Sequence, residues 1–457
     1  MSLSLMMAAT ISRSVIILHG PIGCGANLTG VSSAVAAGRA KRGPAKEPVI
    51  WLSSNMRQND VIGGGESGLR ETIRYADREF RPEIIFVIST CAPNIIGDDV
   101  EDVVESMHDE VTADLTAIHC PGFKSRVVAS AYDSFYHSLI RHISFEPEPY
   151  RGFTPYDRSD RRYEPAQGKR RYEKSRTVNL FNATSINADD ECEIVRLLGA
   201  LDLKVRIFAE YSSRDELRSV SEAALNVSMC NVHDDYILKY LEETYRIPYL
   251  IEGMPLGTRA TRAWLTAIAR FFGREEQANL LCDQEENRLN GAIQEFLPKL
   301  KGKRVLVGGG VIRVAEEARL LNERGLEVLS VRAYHFDSGA LPVYEELAEE
   351  LPEIPISVSN QVFEEINQLK RHRPDIVVDH AGKHGWIAKA GIPSVNLFTP
   401  ARPFFGYIGE YALLKSIVFH LENPSFSQRL SRFVKLPYQD SWFERDAFSY
   451  IQQSDRV

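Results

Sequence analysis

The sequence predicts an α/β protein built on parallel sheets, and three observations carry that expectation. Short apolar runs rich in Val and Ile alternate with longer helix-like segments along the chain, the pattern of strand–helix–strand crossovers. This βα pattern runs three times, with a polar interruption after the first pass. The chain has 457 residues, 44% of them hydrophobic and 25% charged, enough for several domains with their own cores.

In the first pass, Val15–Leu18, Val49–Leu52, Ile84–Ile88 and Leu115–Ile118 read as strands. The stretch Glu146–Arg176 is crowded with Arg, Tyr, Pro and Glu and reads as a surface loop or linker, because it lacks the apolar residues of a core element. A second pass opens at Thr177–Phe181, with a helix over Asp189–Leu201 and a strand over Lys204–Ala209. A strand over Ala224–Met229 and a helix over Asp234–Tyr245 follow, with Pro248 just beyond. A helical stretch, Arg262–Lys299, leads to the third pass. That pass opens on Lys303–Gly310 and continues with a helix to Gly325 and strands over Leu326–Val331, Ile376–Val378 and Val395–Leu397. The expected domains are 1–150, 177–299 and 300–457, with 151–176 as the charged linker.

The bulk numbers exclude some classes. A net charge of −8 leaves no electrostatic footprint for nucleic acid. No apolar run reaches the length of a membrane span. The apolar stretch Leu3–Ala9 has no basic residues before it, so it is not read as a secretion signal. Six cysteines in a chain this long fit a reducing, cytoplasmic compartment better than a disulfide framework.

Three of the cysteines lie just past strand-like runs. Cys24 ends His19-Gly20-Pro21-Ile22-Gly23-Cys24, Cys91 opens Cys91-Ala92-Pro93-Asn94-Ile95-Ile96-Gly97-Asp98-Asp99, and Cys230 ends Leu225-Asn226-Val227-Ser228-Met229-Cys230. In open α/β sheets ligands bind at the carboxyl edge of the strands. Thiolates there, framed by Gly and Pro, point to iron–sulfur ligation, since thiolate is a soft-metal ligand. The plain alternative for each is a packed structural thiol. Cys120 reads as structural, and Cys192 and Cys282 as inert residues of charged helices. His19 reads as a brace for the loop around Cys24. The turn Gly308-Gly309-Gly310 alone would be an ordinary nucleotide-type turn, and no acidic residue follows at the spacing that reads a ribose.

Taken in order, these segments resemble nitrogenase component 1 on its α-type, cofactor-bearing side. The family's His-Gly-Pro-x-Gly-Cys matches His19–Cys24. Its Cys-Pro-x-x-Leu-Ile-Gly-Asp-Asp matches Cys91–Asp99, with the proline moved by one to Pro93. Its Cys-x-Gly-Phe matches Cys120–Phe123, and its Leu-Asn-x-x-x-Cys with a following Tyr-Ile and Tyr-x-Ile-Pro matches Leu225–Cys230, Tyr236-Ile237 and Tyr245–Pro248. Its Lys-Arg-Val strand with glycine loop and arginine matches Lys303–Arg313.

The resemblance implies three Rossmann-like domains with parallel sheets around a central metallocluster site. It implies an α2β2 complex with a β-type (K-like) subunit, and electrons from an ATP-hydrolysing homodimeric iron protein. Cys24 and Cys91 would hold a P-cluster-like iron–sulfur cluster (8Fe-7S or 4Fe-4S) shared with the partner. Cys230 would hold a large nitrogenase-type iron–sulfur cofactor (8Fe-9S-C-like), with Gly309, Gly310 and Arg313 against it. A family subunit gives three cysteines to the relay cluster. The position of the earliest would fall ahead of Met1, so the cluster type stays open.

Other positions depart from the family. The histidine after the final Gly-Ile-Pro (Gly391–Pro393) is replaced by Phe398, which cannot ligate, and His380 and His384 are the candidates to take its place. The Gln and His that follow Cys-x-Gly-Phe in nitrogenases are Val128 and Tyr132, and His233 stands three residues after Cys230. Tyr132, His233 and His380 are therefore the candidate catalytic residues. A pocket with few proton donors suits a less polar substrate that needs few protons. The favoured expectation is reductive cleavage of small methylthio-alkanes to methanethiol and a hydrocarbon. The alternatives are a non-catalytic scaffold for cofactor assembly, an alternative nitrogenase α subunit, and a tetrapyrrole reductase of the same superfamily. Cys230 and the long C-terminal part argue against the last.

Overall fold

A computed structural model describes residues 2–42, 49–124, 130–146, 163–181, 187–230, 232–380, 384–397, 399 and 401–450. It forms two compact units, 1–252 and 253–457. The described strands make three sheets, and every pairing in them is parallel.

In the first unit, β1 (Ser14–His19), β2 (Ile50–Ser53), β3 (Ile84–Ser89) and β4 (Asp114–His119) lie in the order β2-β1-β3-β4. Every residue of β1 and β3 is buried, which is why both read as continuous apolar runs. Their side chains alternate between two cores. Val15, Ile17, Ile85 and Val87 meet Leu69, Ile73, Val100 and Val104 on one face. Ile16, Leu18, Phe86 and Ile88 face the other way, into a core that also takes Phe135, Tyr136, Phe181 and Phe208. That second core joins the first sheet to β5 (Thr177–Phe181), β6 (Lys204–Phe208), β7 (Leu225–Ser228) and β8 (Tyr249–Ile251), which run in the order β6-β5-β7-β8. The second unit carries β9 (Arg304–Gly309), β10 (Glu327–Ala333), β11 (Ile356–Val358), β12 (Ile376–Asp379) and β13 (Ser394–Asn396), in the order β11-β10-β9-β12-β13.

Each sheet reverses its strand order once: between β1 and β3, between β5 and β7, and between β9 and β12. In a doubly wound sheet the crevice beyond the carboxyl ends at such a reversal is where ligands bind. Cys24 follows β1 and Cys91 follows β3, Cys230 follows β7, and Gly310 and His380 follow β9 and β12. All three reversals therefore carry residues singled out from the sequence.

Several elements differ from the sequence reading. Within the expected linker, Tyr163–Ser175 is a helix. Polar contacts hold it: Arg170 pairs with Glu222 at 2.6 Å, and Lys174 Nζ donates to the Ser221 carbonyl at 2.8 Å, so the segment needs no apolar face. The helices Gly257–Phe271 and Glu275–Ile293 fall in the unit of the third sheet, although they were expected in 177–299. Gly257 sits against Leu320, and Leu256 bridges to Gly406. The strands β8 and β11 and the helix Ser2–Thr10 were not foreseen. The two strands have three residues each, too few to show a period, and most of the described side chains of the N-terminal helix are buried, so no amphipathic stripe marks it. Among the described residues, no helix is long and apolar enough to cross a membrane.

Candidate functional site

At the first reversal, Cys24 lies in the 3-10 turn Ile22–Asn27 and its N–H donates to the Pro21 carbonyl at 3.0 Å. Cys91 opens the short helix Cys91–Ile96. Since β1 and β3 are adjacent and parallel, the two thiols leave neighbouring strand ends. Cys24 is half-buried and Cys91 exposed. The Gly122 N–H points at Cys91 Sγ from 3.2 Å, the type of hydrogen bond that tunes a cluster sulfur.

A buried polar brace lies behind these loops. His19 is fully buried, with Nδ1 2.9 Å from Ser54 Oγ and Nε2 3.0 Å from Asp98 Oδ2. The same carboxylate accepts the Gly65 N–H at 3.0 and 3.1 Å. Burial lowers the His19 pKa, against the opposing pull of Asp98. Thr90 donates its N–H and its hydroxyl to the His19 carbonyl. The approach is so close that a Cβ on Gly20 would lie 2.1 Å from Thr90 Oγ1. Around the thiols the surface is apolar: Ile22, Ile62, Ile95 and Phe123 are all more than half exposed. A face of this kind normally meets a partner.

At the second reversal, Cys230 is 2% exposed. Its N–H donates to Ser228 Oγ at 3.0 Å. Ser228 Oγ is also hydrogen-bonded to Asp234, whose other oxygen accepts the Tyr136 hydroxyl at 2.8 Å. Tyr132 and His233 stack face to face, with centroids 4.1 Å apart and planes 9° apart. Asp234 is fully buried, and desolvation pushes its carboxyl up to about 7. Val128 and Phe398 lie outside the described residues.

At the third reversal, the His380 N–H donates to the Gly308 carbonyl at 3.1 Å and to Asp379 Oδ1 at 2.6 Å. A Cβ on Gly309 or Gly310 would meet the His380 ring at 3.8 to 4.0 Å. Burial first, then the charge of Arg313 in the first turn of the helix Val311–Glu323, lowers the His380 pKa to about 3. The structure thus brings Gly309, Gly310, Arg313 and His380 together. His384 begins the helix His384–Lys389.

The sequence reading missed the groups beneath this turn. Arg332 donates to Glu365 at 2.6 Å and to Asp379 at 3.2 Å, and Tyr334 also donates to Asp379. Glu317 is fully buried with neither carboxylate oxygen hydrogen-bonded among the described residues; burial, reinforced by the Asp379 charge, raises its pKa far above the carboxylate range. An acidic residue closing the apolar run Ile376–Asp379 was the one available signal.

The donor set fits iron–sulfur groups at two places. Cys24 and Cys91 offer accessible thiols from adjacent strand ends. Cys230 offers a thiol in a water-poor setting with its backbone amide already bonded, as cluster ligation needs. Cys120 is buried, with its thiol donating to Ser4 Oγ at 3.1 Å. Cys282 is buried, and Cys192 is exposed on its helix. Among the described residues, no three His, Cys, Asp or Glu side chains are grouped so as to hold a single metal ion.

Comparison with known proteins places the chain. Residues 2–422 match the family described as "Nitrogenase component 1 type Oxidoreductase". The chain is 25% identical over 430 residues to the "Nitrogenase molybdenum-iron protein alpha chain" of Methanothermobacter marburgensis, covering 92% of this chain and 86% of that one. It is 24% identical over 408 residues to the "Nitrogenase iron-molybdenum cofactor biosynthesis protein NifE" of Methanococcus maripaludis, covering 87% and 78%. Its fold superposes on the solved structure "Nitrogenase Cp1 at pH 6.5" with a TM-score of 0.76 and 18% identity, covering 95% of this chain and 89% of that one. The chain belongs to the nitrogenase component 1 type oxidoreductases.

Proposed function

We propose that this chain is the α-type catalytic subunit of a nitrogenase-like reductase that cleaves small methyl thioethers. For 2-methylthioethanol the balance is CH3–S–CH2CH2OH plus two electrons and two protons, giving CH3–SH, C2H4 and H2O; a plain alkyl thioether R–S–CH3 takes the same two electrons and two protons to R–H and CH3–SH. Electrons would come from an ATP-hydrolysing iron protein, and Cys24 and Cys91 would hold a relay cluster shared with a β-type partner in an α2β2 complex. The exposed apolar residues around those thiols support a covered interface there. Cys230 would anchor a large iron–sulfur cofactor, and Gly309, Gly310, Arg313, His380 and His384 are the further candidate cofactor-binding residues. When bound, such a group supplies low-potential electrons to the substrate.

The observation that carries the substrate class is the stacking of Tyr132 on His233, which stands three residues after Cys230. The two rings cover one face of each other, and together they make this part of the chain aromatic. Thioether sulfur packs well on aromatic rings, and a two-proton reaction needs few donors.

The test is to purify the complex anaerobically with its partner and assay ethylene and methanethiol from 2-methylthioethanol with iron protein and ATP. ATP-dependent release of both supports the proposal; turnover of dinitrogen alone would overturn it in favour of an alternative nitrogenase. A second reading, a cofactor-assembly scaffold, is supported by the NifE likeness. It would be favoured by a complex that turns over neither substrate and passes its cluster to an apoprotein.

A further inference from the structure

Reduction consumes protons as well as electrons, and those protons must reach the strand edge that carries Cys230. Two buried carboxyl groups lie on the same sheet edge. Phe208 of β6, Phe181 of β5 and Ser228 of β7 are paired in register. Glu210 stands two residues past Phe208, and Cys230 two residues past Ser228. Strands are spaced about 4.8 Å apart, so the strand ends Phe208 and Ser228, two strands apart, are roughly 10 Å apart along the edge. Asp234 and Tyr136 are bonded to each other, and Asp234 is bonded to Ser228, which accepts the Cys230 N–H.

Glu210 faces the other way as well. It lines an open cleft of ≈ 540 Å³ together with Arg42, Lys204, Arg206, Tyr211 and Ser219. Its residue exposure is only 6%, and its Oε2 has no hydrogen-bond partner among the described residues. Arg42, whose charge pulls on this carboxyl, is engaged elsewhere: its Nε donates to Glu191 at 2.9 Å and its guanidinium lies 3.8 Å over the Tyr211 ring.

We propose that Glu210, Asp234, Tyr136 and Ser228 form a proton pathway from this cleft to the strand edge that carries Cys230. The inference rests on the reductive reading above and adds the route by which its protons arrive. A proton from bulk water binds Glu210. It passes through a bridging water molecule to Asp234 as the Glu210 O–H breaks and an Asp234 O–H forms. Asp234 then gives its proton to Ser228 Oγ as the Ser228 hydroxyl turns from Asp234 and gives its own proton to the reacting thioether, which is the acceptor, and Glu210 is reprotonated from the cleft; no electron moves in these steps.

The environment suits the task. Desolvation first, then the Asp234 and Glu191 charges, push Glu210 up to about 8, against the pull of Arg42 and of its own backbone N–H. Desolvation and the Asp235 and Asp133 charges raise Asp234, while its bonds to Ser228 and Tyr136 oppose the rise. Both acids therefore exchange protons near neutrality, where a relay works best. Buried acids without a cationic partner are costly as scaffolding, so their pairing on this edge favours a working role.

The experiment compares wild type, Glu210→Gln, Asp234→Asn and the double variant, each as the complex with partner, iron protein and ATP. Infrared difference spectra of the same complexes read protonated carboxyl bands, and electron paramagnetic resonance reads the cofactor. The pathway predicts a Glu210→Gln turnover about tenfold lower with KM and the cofactor signal unchanged, and a flattened alkaline limb of the pH profile. It predicts a double variant no slower than the slower single, because the groups act in series, and a neutral-pH carboxyl band lost in Glu210→Gln. A wild-type rate and pH profile in Glu210→Gln, or a Glu210 already ionised at pH 6, would overturn the pathway alone. A wild-type complex with no cofactor signal and no thioether turnover would overturn the reductive reading and the pathway with it.

Discussion

Replacing Glu210 with Gln should stabilise the chain, and the gain should depend on pH. In the unfolded chain this carboxyl ionises near 4.5, but burial holds it protonated up to about 8 in the folded chain. Between those values the folded state binds more protons than the unfolded one. Stability therefore falls as pH rises through that window, and the loss is complete above about 8. At pH 7 the linkage amounts to about 3 kcal/mol in a rigid, dry site. Relaxation and the adjoining cleft reduce the expected effect to about 1–3 kcal/mol. Glutamine keeps the shape and removes the ionisation. Urea unfolding of wild type and Glu210→Gln at pH 4 and pH 7.5 is the assay. The two chains should be nearly equal at pH 4, where both states of wild type are protonated, and the variant should be more stable at pH 7.5. A stability difference that is the same at both pH values would refute the reasoning, since it would mean Glu210 ionises normally in the folded chain.

The remaining predictions concern the other two sheet edges. Gly20→Ala places a Cβ 2.1 Å from Thr90 Oγ1; forced apart, the two loops should cost about 2 kcal/mol or more and accelerate alkylation of Cys91, read by thiol labelling. Asp98→Ala strips the His19 ring and the Gly65 N–H of their shared acceptor; a loss of about 2–4 kcal/mol in urea unfolding is expected. His380 is held neutral to about 3 in the fold, below its unfolded 6.5. Its contribution is present above 6.5 and is lost as pH falls toward 3, about 1–2 kcal/mol of it by pH 5. His380→Gln should flatten that acid limb in a pH series of unfolding midpoints.

The strand ends were legible in the sequence. The runs before Cys24 and Cys91 are β-branched and buried, and a parallel strand buried on both faces shows as an uninterrupted apolar word; the run before Cys230 is buried too but carries Asn226 and Ser228, so it was legible through its motif rather than its hydrophobicity. The glycine turn and Arg313 were singled out by the family resemblance of Lys303–Arg313. Glu210 and Asp234 were not, because a buried acid looks like a surface acid in sequence, and only its neighbours reveal it. The Arg332–Asp379–Glu365 network escaped for the same reason. The helix Tyr163–Ser175 escaped because ion pairs such as Arg170–Glu222 hold it, and hydrophobic periodicity does not report those. The division into units was hidden by Gly257–Ile293, whose partners lie later in the chain.

The central claim is that Cys230 and the Cys24–Cys91 pair anchor two separate iron–sulfur groups. The most direct test is iron content with paramagnetic resonance of the anaerobic complex, for wild type, Cys230→Ala and Cys24→Ala/Cys91→Ala. The account predicts that Cys230→Ala loses roughly half the iron and one signal, and that the double variant loses the other. Iron and spectra unchanged in Cys230→Ala would contradict it.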